Sequence, residues 1–138
     1  MRKRLINTAF VYGMVGLFVG AFYREFTKFI DFNGVTTLAK VHIHVLTLGM
    51  LMFLIMSAIS LSVNLKDSKY FMRFYCIYNT GVIVTTSMLF LRGMQEVMNL
   101  TSSTLDICIS IIAGVGHIVL TIGAVFLFLM LKDVVKDN

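Results

Sequence analysis

A chain of 138 residues, 58% hydrophobic and only 14% charged, with a mean hydropathy of +0.88, lies outside the range of soluble globular domains. Its net charge of +5 does not imply nucleic acid, because the basic residues cluster beside apolar stretches, where they report membrane topology. HExxH, Walker, GxSxG and CxxCH patterns are absent from the sequence, so hydrolases, nucleotide-driven machines and covalently attached haem have no support. The length fits one domain, residues 1–138.

Four apolar stretches follow one another: Leu5–Tyr23, Thr36–Ser62, Tyr70–Leu91 and Leu105–Leu131. Each has roughly 19 residues or more, enough to cross a ~30 Å hydrocarbon core at about 1.5 Å per residue. They predict an all-α fold, a bundle of four transmembrane helices in a lipid bilayer. The first stretch is too long for a cleaved signal peptide and lacks a small-residue cleavage site. It carries Gly13, Gly16 and Gly20, read either as a helix-packing seam or as a flat surface for a porphyrin. It ends in YREFTKFIDFNG, with a turn expected at Asn33-Gly34.

The second stretch is capped by Thr36 or Thr37 and leads into a short hairpin, VNLKDSKY. The third opens with Tyr70, Phe71, Phe74, Tyr75 and Tyr78, expected to form an interfacial aromatic belt, and ends at Leu91-Arg92-Gly93. Ser102, Ser103 or Thr104 caps the fourth. Cys76 and Cys108 lie in separate spans without CxxC spacing and are expected to be buried, inert thiols.

With four spans, both termini and the loop between spans 2 and 3 share one side. That side carries Arg2, Lys3, Arg4, Lys66, Lys69, Arg73, Lys132 and Lys136, eight of the twelve cations; Arg24, Lys28, Lys40 and Arg92 lie on the other. The positive-inside rule then places both termini in the cytoplasm.

The chain's three histidines are His42 and His44 in VHIHVLTLGM and His117 in GVGHIVLTIG. A metal-binding side chain inside a bilayer is costly enough to mark a functional site by default. At 100° per residue His42 and His44 point about 200° apart, so they do not chelate one ion together, as an i, i+4 pair would. His44 lies about eight residues into its span and His117 about twelve into its own, and both spans run inward. The two rings therefore reach similar depths and could grip one iron from opposite axial sides. Gly49, Gly114, Gly116 and Gly123 near the histidines leave room for a flat macrocycle. Arg24 and Arg92, on the outer side just above, suit the two propionates of haem b. Simple Arg–Glu pairs with Glu25 and Glu96 are the alternative.

The segments Tyr23–Phe29 (YREFTKF), Val41–Met50, Leu91–Gly93 and Ala113–Leu120 resemble the signature blocks of a bacterial four-helix membrane family of unknown function. VHIHVLTLGM is also similar to the HxH segment of the haem–copper oxidase catalytic subunit. That resemblance implies one four-helix unit of the oxidase subunit, with His42 and His44 each serving a separate haem and His117 opposing by position. The chain lacks the further histidines of a copper centre and the oxidase tyrosine, so oxygen reduction is not implied. The analogy with pseudo-threefold oxidase architecture favours a homotrimer.

The expectation is a membrane b-type haem protein with His117 and one of His42 and His44 (His44, on depth) as axial ligands. Electron transfer and haem or gas sensing both fit, with a redox protein or quinone as partner, and no residue is assigned a catalytic role. The competing expectations are an outward-facing copper or zinc transport site using the histidines with Glu25 or Glu96, and a non-catalytic subunit of a membrane complex.

Overall fold

In hydrocarbon a backbone has no water to bond with, so an apolar segment satisfies its own N–H and C=O groups by coiling into a helix. The computed structural model describes residues 1–100 and 102–136. Among them it is all-helical: α1 (Arg2–Phe29), α2 (Leu38–Ile59), α3 (Phe71–Val97) and α4 (Ser103–Lys136). All four are long and apolar enough to span a membrane, which defines a multi-pass membrane bundle. A short 3-10 turn, Leu65–Asp67, lies in the hairpin between α2 and α3.

The helices overrun the apolar stretches at the end away from the termini. α1 continues to Phe29 and α3 to Val97 rather than stopping at Tyr23 and Leu91. Hydropathy marks the hydrocarbon boundary, whereas helical hydrogen bonding continues into the interface until a cap stops it. Both caps are Schellman turns. Phe32 N–H bonds to Thr27 O and Asp31 N–H to Lys28 O; Leu100 N–H bonds to Gln95 O and Asn99 N–H to Glu96 O. Asp31 and Asn99, each at φ 52, take the left-handed position, one that short polar side chains tolerate. The chain therefore leaves the helix at Asp31 and bends again at Gly34, where a turn is expected; Gly34 has no positive φ and packs under the Phe32 ring.

α1 packs on α2, α2 on α3, and α3 most extensively on α4. The core centres on Phe53, fully buried, with the rings of Tyr12, Phe74, Tyr75 and Tyr78 at 5.8–6.1 Å. The early aromatics of α3 are thus largely core and not a lipid-facing belt: Phe71, Phe74 and Tyr78 are buried. Their hydroxyl-bearing neighbours are tied internally, Tyr78 donating to Leu48 O (3.1 Å) and Tyr12 to Asn79 Oδ1 (2.9 Å). Cys76 and Cys108 are exposed on the outer faces of α3 and α4, a correction to their expected burial. Neither faces a helix–helix seam.

The glycines of α1 form a packing seam: Gly13 meets Met50, Gly16 meets Leu46, and Gly20 meets His42. The tighter approach is α3 on α4. A Cβ on Gly81 would lie 2.5 Å from the Leu120 backbone nitrogen, and one on Gly123 would lie 2.7 Å from Tyr78 Cα. Because backbone cannot yield as a flexible side chain can, Gly81→Leu is expected to lower stability by about 1–3 kcal/mol. Thermal melting of the detergent-solubilised protein measures this. Gly114→Ala, placed inside a helix where a Cβ meets nothing within 4 Å, should melt no lower than the wild type and gain up to about 1 kcal/mol.

Candidate functional site

The start of α2 is fixed by its neighbour α3. Thr37 donates both its backbone N–H (2.6 Å) and its hydroxyl (3.1 Å) to Glu96 Oε2. The Thr36 hydroxyl accepts from Leu38 N–H (3.1 Å) and donates to Gly93 O (3.2 Å). Gly93 does not end α3; it lets the α2 backbone come against it at Leu38. A carboxylate at a helix N-terminus satisfies orphan donors and the helix dipole. Glu96 is therefore committed to a cap and is not paired with Arg92. α4 opens with Ser102, whose hydroxyl accepts from Leu105 N–H at 3.5 Å.

With its start fixed, α2 presents its two histidines to different neighbours. The His42 side chain lies against Gly20 of α1, with its Nδ1 buried and unpartnered. His44 faces away from α1 into a slot between α2 and α4, floored by α3. Directly after His44 the backbone changes to a π-helical run, Val45–Leu51. Such runs are rare and concentrate at functional sites. Nothing in the hydrophobic periodicity signals it.

The slot has a volume of about 200 Å3 and brings His44 and His117 together with Thr85, Met88, Leu89 and Arg92 of α3. Each ring is held by its own helix: His44 Nδ1 lies 2.9 Å from Lys40 O and His117 Nδ1 lies 2.7 Å from Ala113 O. A carbonyl oxygen only accepts, so Nδ1 carries the proton in both rings. In the neutral form, the state in which histidine binds a metal, each ring would offer its Nε2 lone pair with the second-shell bond already made. Below them the Thr85 hydroxyl is buried without a partner, hemmed in by Gly116, where a Cβ would lie 2.9 Å from Thr85 Oγ1. At the rim, Arg92 Nη2 donates to Ser110 Oγ of α4 at 2.7 Å.

Of the residues singled out in the sequence, His44, His117 and Arg92 share this slot, while His42 and Arg24 stand elsewhere. Arg24 is 80% exposed on α1, its Nε 3.5 Å from Glu25. The glycines expected to clear space mostly do not, since Tyr12 fills the space at Gly49, Tyr78 that at Gly123, and Thr85 that at Gly116. Gly114, three residues before His117, is open. Sequence reasoning missed Thr85, Met88 and Ser110. The Thr85-Thr86 pair inside an apolar helix was the available signal. Among the described residues no group of three or more His, Cys, Asp or Glu side chains is placed to hold a metal ion.

Four helices able to span a membrane, with His44 and the exposed His117 lining one small slot, define a multi-pass membrane protein with a candidate ligand site between helices. The chain belongs to the family described as protein of unknown function (DUF2871), matched over residues 1–134. No curated protein and no solved structure matches it.

An orphan hydroxyl costs free energy unless a ligand takes it up. In ligand-free protein Thr85→Val is therefore expected to be neutral or stabilising by about 1 kcal/mol. Comparing chemical or thermal unfolding of the two proteins checks this. A clear loss of stability would mean that the hydroxyl has a partner inside the protein.

Proposed function

We propose that the protein binds a b-type haem between His44 and His117 and serves electron transfer. One observation carries this: two imidazoles on helices separated by α3, each with Nδ1 spent on its own helix and Nε2 free, line a single slot. Two axial nitrogens complete an iron whose other ligands come with the macrocycle. Arg92 at the rim supplies a propionate partner. Haem, when bound, supplies one-electron chemistry; the protein contributes ligation, low dielectric and charge pairing, the terms that set the potential. Two axial histidines leave no open position for a gas, which favours electron transfer over sensing, with a redox protein or quinone as the partner.

The slot is smaller than the 300–1,000 Å3 typical of pockets that enclose a cofactor. A macrocycle there needs cover on its open side, from lipid or from a second copy of the chain, in keeping with a homo-oligomer, the trimer preferred by oxidase analogy. His42 is not part of this slot; its place in the HxH pattern shared with haem–copper oxidases fits a separate role at the α1 seam.

A second reading, a copper site, is favoured by Met88, which lines the slot beside both histidines and offers a thioether. A zinc site using Glu25 or Glu96 lacks support, since Glu25 pairs with Arg24 and Glu96 caps α2.

Purified protein expressed with haem available should show a six-coordinate b-type spectrum. His44→Ala and His117→Ala should each abolish haem binding or give a five-coordinate spectrum, while His42→Ala keeps the wild-type spectrum. Arg92→Ala should weaken haem retention without removing colour, and Arg24→Ala should leave it unchanged. Colourless protein carrying stoichiometric copper, lost in Met88→Leu, would establish the copper reading instead. Unchanged haem spectra in both the His44 and His117 variants would end the haem assignment.

The placement of eight of the twelve cations with the termini supports cytoplasmic termini and a slot in the outer half of the bilayer. A reporter fused after Asn138, a residue outside the described ones, should be active inside the cell and silent outside. The opposite result would invert the side from which a redox partner reaches the slot.

A further inference from the structure

The bundle end that carries the termini holds two cavities that meet at Arg4. One, of about 530 Å3, is lined by Arg4, Lys66 and Lys69 together with Ser68, Phe71 and Met72. The other, of about 850 Å3, is a groove between α1 and α3 running from Lys3 and Arg4 past Asn7 and Thr8 to Val15 and Ile83. No acidic residue lines either cavity. Among the described residues, Asp67 bonds Asn64 (2.8 Å) and Asp133 bonds Ser68 (2.7 Å), and neither forms an ion pair with Arg4, Lys66 or Lys69. Arg4 is held in place: its Nη1 lies 3.4 Å from Met72 Sδ and its guanidinium lies over the Tyr75 ring at 5.7 Å. Beyond Val15 the groove continues into a chamber of about 580 Å3 walled by Phe18, Phe22 and Phe90.

We infer that these cavities form a site for one anionic phospholipid, its phosphate among Arg4, Lys66 and Lys69 and an acyl chain along the α1–α3 groove. Three features carry the assignment. Cations without an ion-pair partner among the described residues, at headgroup depth, are the recognition chemistry for a phosphate-bearing lipid. Asn7, one turn past Lys3, places an amide where the glycerol esters of such a lipid would lie. From Lys3 to Val15 the groove covers about 18 Å at 1.5 Å per residue, close to one leaflet of a ~30 Å core. It then exposes Val11, Val15 and Ile83, each 45–59% accessible, to the chain. A second copy of this protein is a poor occupant. Inserted in the same orientation, it would bring its own Lys3 and Arg4 to the same level and set like charges together.

The site is independent of the histidine slot, so its test and that of haem binding fail separately. Native mass spectrometry of the whole protein in detergent, titrated with phosphatidylglycerol or phosphatidylcholine of matched chains, measures it. One phosphatidylglycerol per chain should bind at least tenfold more tightly than phosphatidylcholine. Each cation near an anionic headgroup contributes about fivefold. Arg4→Gln/Lys66→Gln/Lys69→Gln should therefore lose at least tenfold of the phosphatidylglycerol affinity, and Arg4→Lys/Lys66→Arg/Lys69→Arg should keep it. Val15→Trp, which blocks the groove and leaves the cations, should weaken binding of both lipids. Equal binding of the two lipids, a triple variant that loses less than tenfold, or full competition by equimolar inorganic phosphate would each overturn the assignment. So would a disulfide cross-link between two copies through Val11→Cys.

Discussion

The close approach of α4 to α3 sets the geometry on which the histidine slot depends. Gly81 and Gly123 let the two backbones meet at Leu120 and Tyr78, and that contact fixes both the depth and the rotation of His117. On its other side α3 holds the start of α2 through Glu96, Thr37 and Gly93. One helix thus acts as the template for its two neighbours. Both pack on α3, and the gap between them is the slot. Each imidazole has its Nδ1 within hydrogen-bond distance of the carbonyl one turn back, an acceptor supplied by its own helix.

The number and class of helices were legible because hydropathy and length answer to one constraint, the thickness of the hydrocarbon. Their ends were not. Tyr23 and Leu91 mark where apolar residues stop, but hydrogen bonding carries on to caps at Asp31 and Asn99, residues that sequence reasoning passes over in favour of glycine at Gly34. The roughly opposite directions of His42 and His44 followed from helical rotation alone, since two residues turn the chain through about 200° whatever the exact helix start. Which ring faces α4 was a matter of estimated depth in the sequence and of packing in the structure, where Gly20 takes His42. The aromatics at the start of α3 read as a belt because composition does not tell the inner face of a membrane helix from the outer. Glycine was ambiguous for a related reason: the same absent side chain serves a helix seam and a flat ligand, and at Gly16, Gly49, Gly116 and Gly123 the seam had already used the space.

The π-helical run after His44 and the orphan hydroxyl of Thr85 were invisible in the sequence, for different reasons. The π-helical run contains Gly49, against which Tyr12 of α1 packs, and the hydrophobic pattern does not mark it. Thr85 is one of several threonines in the spanning helices. Thr86 returns its hydroxyl to Val82 O at 2.7 Å, the ordinary solution for threonine in a helix. Thr85 does not, although it occupies the adjacent position. That contrast between neighbours, a satisfied hydroxyl beside an unsatisfied one, places the anomaly at the floor of the slot, where a ligand has reason to be.

Charge decides between the two ligands the slot could hold. A copper ion would rest on His44, His117 and Met88, all neutral, with the Arg92 guanidinium lining the same small volume. Like charge at low dielectric is costly, and no carboxylate lines the slot to offset it. For haem the sign reverses. The propionates of the proposed haem would be attracted to Arg92, which donates to a serine hydroxyl and shares the adjoining pocket with Glu96 and Asp106. Glu96, the carboxylate nearest to Arg92 in sequence on α3, is drawn away to cap α2 by two hydrogen bonds. Arg92 meeting a serine hydroxyl at the rim, and two Nδ1 atoms lying against backbone carbonyls of their own helices, are the contacts on which the proposed anionic, metal-centred ligand rests.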